Sequence, residues 1–257
     1  MKLELDEKVF IVSGSSRGIG KGICQVLLGE GAFVVLTGRD ISSLKQANDE
    51  ISRECPDRSI YVVGDLNENS TLEKLRSEVL ERWSRIDGVI ANAGAVKPVP
   101  DWDIQECDWQ WYFKANFEIA FRFVTHFIPD LKDTKGNIVI TSSIAGIEEI
   151  GAPLPYSSSK AALNMYAKGL ASKLAEDGIR VNTVAPGNII FPGGNWDLKS
   201  KKNPQDIQKM LRDKVPLQSF GDPSDIGNMV AFLLSSKAKF ITGSCFVVDG
   251  GQSSLFI

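Results

Sequence analysis

Lys8-Val9-Phe10-Ile11-Val12-Ser13 runs directly into Gly14-Ser15-Ser16-Arg17-Gly18-Ile19-Gly20. The first segment is a continuous apolar run, the pattern of a strand buried on both faces. After the glycines, Ile23, Val26 and Leu27 mark one face of an amphipathic helix. A strand, a glycine turn and a helix in that order place a phosphate at a helix N-terminus. The glycines allow a tight turn and let the backbone approach a pyrophosphate. A plain tight turn would need the glycines but not these flanks.

The pattern repeats outward. Phe33-Val34-Val35-Leu36-Thr37 is a second strand, ending at Gly38-Arg39-Asp40. In a dinucleotide fold this end meets the adenosine ribose, where an acidic side chain binds the 2′-hydroxyl. Here that position is Gly38, with Arg39 beside it and Arg17 in the glycine turn. Two guanidiniums near one ribose point to a 2′-phosphate, hence NADP(H). Asp40 leaves NAD(H) open, and Arg39 can also be read as a surface residue. Helix Ile41 to Arg53 leads to strand Ser59–Val63, which ends at Gly64-Asp65-Leu66. There a side chain can reach an adenine, or Asp65 can cap the next helix. Helix Thr71 to Trp83 precedes strand Ile86–Ile90 and Ala91-Asn92-Ala93-Gly94. Asn92 can serve the ligand or simply bond neighbouring strands.

Ala95 to Phe127 reads as a loop and a long helix rich in aromatics, among them Trp102, Trp109, Trp111, Tyr112, Phe113, Phe117, Phe121 and Phe123. At helical spacing these suit a core or a subunit interface. Asn116 lies among them and needs a hydrogen-bond partner if buried, because leaving it unpaired costs about 1–3 kcal/mol. Strand Asn137–Thr141 ends at Ser142-Ser143. A helix bearing Tyr156 and Lys160 follows and runs to about Ala175, then strand Ile179–Val184 closes on Ala185-Pro186-Gly187. Residues 188–203 read as irregular, with Pro192-Gly193-Gly194-Asn195-Trp196 inside. A loop of that length in a compact fold suggests a mobile substrate lid over about 188–213. Lys199-Ser200-Lys201-Lys202 reads as a solvated loop. Helices at about 204–213 and 223–235 and strand Ser244–Val248 complete the chain. Seven strands with helices between nearly all of them predict an α/β fold: one doubly wound parallel sheet with helices on both faces, forming one unit over 1–257.

The bulk composition excludes several classes. The 257 residues are 43% hydrophobic and 24% charged, with a net charge of −3 and no basic stripe, so no nucleic-acid partner is expected. No apolar segment is long enough to span a bilayer, and the N-terminus brings charges before any apolar stretch, which is not a secretory pattern. The four cysteines (Cys24, Cys55, Cys107, Cys245) lack C-x-x-C spacing. That argues against a disulfide framework or a metal site and fits a reducing cytoplasm. The one histidine, His126, sits in an apolar helical setting and reads as packed. Acid–base chemistry must then fall to Tyr, Lys, Asp or Glu.

Ser143, Tyr156 and Lys160 supply it. A spacing of four puts Tyr156 and Lys160 on one helix face, at the sheet edge where open α/β folds bind ligands. A free phenol has a pKa of about 10. A neighbouring ammonium is expected to pull it toward neutrality, so that Tyr156 exchanges a proton with an alcohol or carbonyl oxygen. Ser143 would bond that same oxygen, and Asn116 could tie Lys160 to solvent through a water.

These residues resemble the short-chain dehydrogenase/reductase family in its shorter-chain branch. G-x-x-x-G-x-G matches Gly14, Gly18 and Gly20; N-A-G matches Asn92-Ala93-Gly94; the catalytic Asn, Ser, Tyr and Lys match Asn116, Ser143, Tyr156 and Lys160. P-G matches Pro186-Gly187, and Asp249-Gly250-Gly251 resembles the C-terminal signature. The resemblance, from about Lys8 to Gly251, implies a Rossmann-type sheet, a bound NAD(P) and commonly a homodimer or homotetramer built on the two long central helices. Cofactor contacts are expected at Gly14, Ser16, Arg17, Gly18, Ile19 and Gly20, at Arg39, Asp65 and Leu66, at Asn92, Ala93 and Gly94, at Tyr156 and Lys160, and at Pro186, Gly187 and Ile189. Two positions depart from the pattern. Ser13 replaces the usual Thr and keeps its hydroxyl. Phe191 stands where Thr often binds the nicotinamide carboxamide, a bond a phenyl ring cannot make, although Ile189 can still offer backbone groups. The general layout is similar to 3-oxoacyl-(acyl-carrier-protein) reductases, and the expected reaction is carbonyl/alcohol interconversion on a small molecule. Glu148 and Glu149 would disfavour an acidic substrate if they pointed into the pocket. The alternatives are a non-catalytic NADP-binding regulator or scaffold, and an oxidoreductase of sugar-nucleotide-derived substrates.

Overall fold

A computed structural model describes residues 2–53 and 55–254. Its sheet has seven strands, all parallel, in the order β3-β2-β1-β4-β5-β6-β7. They are β1 (Val9–Val12), β2 (Phe33–Gly38), β3 (Ser59–Val63), β4 (Gly88–Ala91), β5 (Asn137–Thr141), β6 (Arg180–Pro186) and β7 (Cys245–Val248). Helices α1 (Gly18–Gly29), α2 (Ile41–Ile51) and α3 (Asn69–Trp83) alternate with the first four strands.

β1 explains why the apolar run is unbroken. Val9 and Ile11 belong to one core layer, with Val35, Val79 and Phe123, while Phe10 and Val12 belong to the other, with Ile23, Leu27 and Val34. A strand covered on both faces has no solvent side to make polar. The expected doubly wound α/β sheet of the Rossmann type is therefore what forms. β1 is flanked by β2 on one side and β4 on the other. The chain reverses its winding there, opening a crevice at the carboxyl ends of β1 and β4.

Two elements differ from the sequence reading. The long helix after Gly94 is α4 (Glu106–Tyr112), then a π-helical stretch over Phe113–Glu118, then α5 (Ile119–Thr134). The extra residue per turn leaves the apolar periodicity almost unchanged, so the sequence reads as one helix. The region 188–203 is not irregular throughout: α7 (Asn195–Lys202) fills its second half, after α6 (Leu154–Leu174) and before α8 (Pro204–Lys214) and α9 (Pro223–Leu234). α7 has no buried residue, so it lacks the apolar stripe that would announce it. It is held by local electrostatics. Asp197 accepts from the Gly193 amide at 2.9 Å and pairs with Lys201 one turn on, at 2.7 Å. Lys199, Lys201 and Lys202 sit in the last turn, where cations complement the helix dipole. The lysine run is thus the end of a helix rather than a loop. His126 packs edge-on against Phe127 at 5.0 Å between centroids. No helix among the described residues is long and apolar enough to cross a membrane.

Asp87 ties the start of β4 to β1. Its carboxylate, 5% exposed, accepts from the Val9 amide at 2.9 Å and from Arg85 at 2.6 and 2.7 Å. The cations are substantially exposed and contribute little. The buried amide decides the outcome. Asp87→Ala should lower stability by about 1–3 kcal/mol in urea denaturation, the cost of an unpaired buried donor; an unchanged midpoint would show that water satisfies that amide.

Candidate active site

The glycine turn is stapled before anything binds to it. Gly14 has φ +63°, and a Cβ there would lie 2.8 Å from Ala93 Cα, so only glycine fits where the two strand ends meet. The Ser13 hydroxyl, the departure from the usual Thr, accepts from the amides of Asn92 and Ala93, both at 2.9 Å. Asn92 Nδ2 donates back to the carbonyls of Ser13 and Gly14 at 3.1 and 3.2 Å. Asn92 is therefore a stitch between β1 and β4, the structural reading of the two. Ser15, a residue the sequence reading passed over, does the same toward β2: its Oγ donates to Val12 O and accepts from the Thr37 amide, each at 2.8 Å. The α1 helix starts at Gly18 with Arg17 as its N-cap, extended and giving no side-chain cap, and with no acidic residue in the first turn. Among the described residues no side chain caps the first amides of α1 at Gly18, Ile19 and Gly20, an arrangement that favours an anion.

At the carboxyl end of β2, a Cβ on Gly38 would meet Leu44 Cδ1 at 3.2 Å and Ser16 Oγ at 3.8 Å, so a side chain there would crowd the start of α2. Arg17 and Arg39 are both exposed, and neither side chain has an ion pair or hydrogen bond among the described residues. Asp40 is engaged elsewhere. It N-caps α2, accepting from the Ser43 amide at 2.8 Å and Ser42 Oγ at 2.7 Å, and these bonds hold its carboxyl below the usual range. Asp65 Oδ1 accepts from the backbone and side chain of Asn67, both at 3.0 Å. It closes a turn and does not cap α3, whose N-cap is Glu68. The Leu66 side chain is 4% exposed and belongs to the core, so it can offer a ligand only backbone.

Ser143, Tyr156 and Lys160 meet at the carboxyl end of β5. Lys160 is 4% exposed, and its ammonium donates to Thr141 O at 2.9 Å. Ser142 Oγ bonds Lys160 O at 3.1 Å, fixing α6 to the strand end. Ser143 Oγ accepts from the Ala145 amide at 3.1 Å and hydrogen-bonds the Tyr156 phenol. The Lys160 ammonium is 5.8 Å from the Tyr156 ring centre. Asn116 is fully buried in the π turn. Its Oδ1 accepts from Ala95 N at 3.0 Å, and its Nδ2 donates to Ala95 O at 2.9 Å and Tyr112 O at 3.0 Å. Its amide is thus committed to backbone, and it clamps the loop after β4. A Cβ on Gly94 would come within 2.8 Å of Asn116 Oδ1 and 3.4 Å of Lys160 Nζ. That glycine is what lets the amide and the ammonium approach. Tyr112 is the member sequence reasoning missed as a site residue. Its hydroxyl bonds both the amide and the carbonyl of Lys97, and its ring meets Tyr156 edge-on at 6.2 Å. Its place four residues before Asn116 was the available signal.

One electrostatic expectation is overturned. Burial pushes the Tyr156 phenol above its usual value, only partly offset by a hydrogen bond with Ser143. Lys160 does not pull it down. The lysine is itself desolvated, which lowers its pKa to about 8, and it turns toward Thr141.

Beyond β6, Gly187 N donates to Val248 O at 3.0 Å. Ile189 sits in a parallel bridge to Gly221, made by its neighbours: Ile190 N to Gly221 O at 2.9 Å and Gly221 N to Asn188 O at 3.0 Å. Its own amide and carbonyl take no bond among the described residues. Glu148 accepts from the Ser254 amide at 2.8 Å and from its hydroxyl, while Glu149 is exposed and accepts from the Gly151 amide at 2.6 Å.

Residues 14–253 match the family model described as "Enoyl-(Acyl carrier protein) reductase". The 3-oxoacyl-[acyl-carrier-protein] reductase FabG of Aquifex aeolicus is 31% identical over 98% of this chain and all of its own length. Glucose 1-dehydrogenase 2 of Bacillus subtilis is 31% identical over 98% of this chain and 97% of its own. The L-sorbose reductase of Gluconobacter frateurii, solved with NADPH and L-sorbose, superposes over the whole of both chains with a TM-score of 0.92 at 27% identity. The chain belongs to the short-chain dehydrogenase/reductase family and is an oxidoreductase.

The buried ammonium makes a pH prediction. An unfolded lysine keeps its proton to about pH 10.5, whereas folded Lys160 releases it near pH 8. Above pH 8 the unfolded state binds more protons, so stability rises with pH in that window. Between pH 8 and pH 9.5 the protein, without added dinucleotide, should gain stability relative to Lys160→Met in urea denaturation. Parallel pH profiles for the two proteins would show that the ammonium is hydrated.

Proposed function

We propose that this enzyme interconverts a small-molecule carbonyl and a secondary alcohol with NADP(H), using Tyr156 as the general acid/base. The observation that carries the reading is the meeting of Ser143, Tyr156 and Lys160 across the crevice from an α1 N-terminus with no side-chain cap. The bound dinucleotide would supply or take the hydride. It would lie with its pyrophosphate on Gly18, Ile19 and Gly20, its adenosine ribose between Ser16 and Arg39, and its nicotinamide end beside Asn92, Gly94, Pro186, Gly187 and Ile189. In the reducing direction Tyr156 gives its proton to the carbonyl oxygen as that oxygen gains charge. A phenol whose pKa is raised is fully protonated at neutral pH, and so ready as an acid. Ser143, beside the phenol, would turn its hydroxyl to donate to the same oxygen. Lys160, cationic below about pH 8, is turned to Thr141 O and stands 5.8 Å from the Tyr156 ring centre, where it would hold the bound dinucleotide beside the phenol. Asn116 positions Lys160 by clamping the Ala95 loop beside it.

Preference for NADP(H) over NAD(H) rests on three residues: unpaired Arg17 and Arg39, and an Asp40 spent on its own helix. The segment 188–213 would close over the substrate. The half-exposed aromatic face of Phe113, Phe117, Phe121 and Tyr166 suits a homodimeric or homotetrameric interface. Four cysteines without a disulfide among them suit the cytoplasm.

Tyr156→Phe should reduce NADPH-dependent turnover of a ketone and keto-sugar panel by about 100-fold or more, the usual worth of a positioned proton donor. Wild-type rates in that variant would overturn the mechanism. Arg39→Ala should weaken NADPH binding about tenfold or more, the worth of one charge-assisted bond, and leave NADH binding within about twofold. Equal losses for both dinucleotides would remove the 2′-phosphate reading.

A further inference from the structure

Phe191 lies on the second glycine of the phosphate turn. A Cβ on Gly18 would be 2.7 Å from its Cζ and 2.9 Å from each Cε, so the ring tip rests on Gly18. On its other side the ring meets Gly194, where a Cβ would be 2.9 Å from Cζ and Cε2. The ring is a knob held between two glycines, one in the turn and one at the N-cap of α7. Behind it the chain is anchored by the bond from Ile190 N to Gly221 O. Ahead of it, α7 and α8 have no buried residue. Among the described residues their attachments include Trp196, tilted against Phe220 at 5.4 Å, a bond from Asn188 Nδ2 to Met210 Sδ at 3.6 Å, and Phe191 itself.

We infer that Phe191 is a latch that competes with the dinucleotide: its ring holds the 191–202 segment down on the pyrophosphate seat, and a pyrophosphate can settle on Gly18 only when the ring has swung away. The inference rests on the proposed cofactor reading, because it takes Gly18 as that seat. The docked ring fills the space where a Cβ on Gly18 would stand, against the turn whose amides would hold the pyrophosphate, so ring and pyrophosphate compete for that side of the turn. The population with the ring docked is therefore unavailable to the cofactor, and the apparent affinity falls by the fraction that is undocked. Phe191 is then a positioning residue that couples cofactor arrival to release of the helix carrying Trp196. This gives a role to the position where a phenyl replaced a hydroxyl.

Two variants test it. Phe191→Ala removes the ring. Gly194→Ala keeps it and pushes it off Gly18, at a site whose φ of −78° any residue adopts. Both should tighten NADPH binding, about tenfold if the ring is docked nine-tenths of the time, as measured by calorimetry. Without dinucleotide, both should also speed tryptic cleavage at Lys199, Lys201 and Lys202 several-fold over wild type, a readout that needs no activity. Unchanged or weakened NADPH affinity in the two variants would overturn the latch, whatever the proteolysis shows. Unchanged cleavage in both variants would overturn it too. Failure of wild type and variants alike to bind NADPH or NADH would overturn the cofactor reading and the latch together.

Discussion

Lys160 is an ammonium taken out of water and given one strong acceptor, the Thr141 carbonyl at 2.9 Å. Much of the site follows from keeping that arrangement. The carbonyl is free because β5 ends at Thr141. The helix carrying the lysine is fixed to the strand end by Ser142, which bonds the lysine's own backbone. The loop after β4 passes close by because Gly94 has no side chain, and it is held there by Asn116. Asn116 can reach both backbone groups of Ala95 because the helix widens to a π turn at that residue. A regular α-helix through Phe113–Glu118 would turn the amide to a different angle. π turns of this kind recur where function needs a side chain re-aimed.

The other half of the site is organised by neutral groups. Ser13, Ser15 and Asn92 saturate the strand ends around the glycine turn with short bonds between hydroxyls, amides and carbonyls. None of the three carries charge into the crevice. The positive end of α1 therefore faces it uncompensated. Arg17 and Arg39 have no ion pair or side-chain hydrogen bond among the described residues, and the neighbouring Asp40 carboxylate is tied up as a helix cap. Electrostatics at this end favour an anion. At the Tyr156 end desolvation dominates instead, raising the phenol and lowering the ammonium. In the protein alone, the two side chains are kept in the protonation states that suit an acid rather than a base.

Where the sequence could be read, the reason was periodicity or fixed spacing. β1 declared itself through four consecutive apolar residues covered on both faces. Tyr156 and Lys160 did so by a helical spacing that survives any local bend, and Ser143 by its place at a strand end. The misses share a physical cause. The π turn changes the aim of Asn116 without changing which residues are apolar. α7 has no stripe to see, because Asp197, Gly193 and Lys201 hold it rather than burial. The direction of the phenol's shift was misjudged because spacing gives proximity but not solvation. Lys160 is near Tyr156, yet its ammonium is turned to Thr141 and the phenol's own burial dominates its shift.

Those misses lie mostly on the substrate side, and that follows from how each side is stabilised. The turn and the strand ends belong to the core, whose packing and hydrogen bonds are dictated by residues visible in the pattern. Among the described residues the segment beyond Ile189 is attached by ring contacts of Phe191 and Trp196, the bridge to Gly221 and a bond from Asn188 to Met210. Elements with few buried contacts open at low free energy. Ring positions there depend on glycines far away in sequence, as Phe191 depends on Gly18. A phenyl at 191 reads locally as a lost hydrogen bond to a nicotinamide. Set against Gly18 and Gly194, the same ring becomes a gained contact, made with the glycine turn at the start of α1.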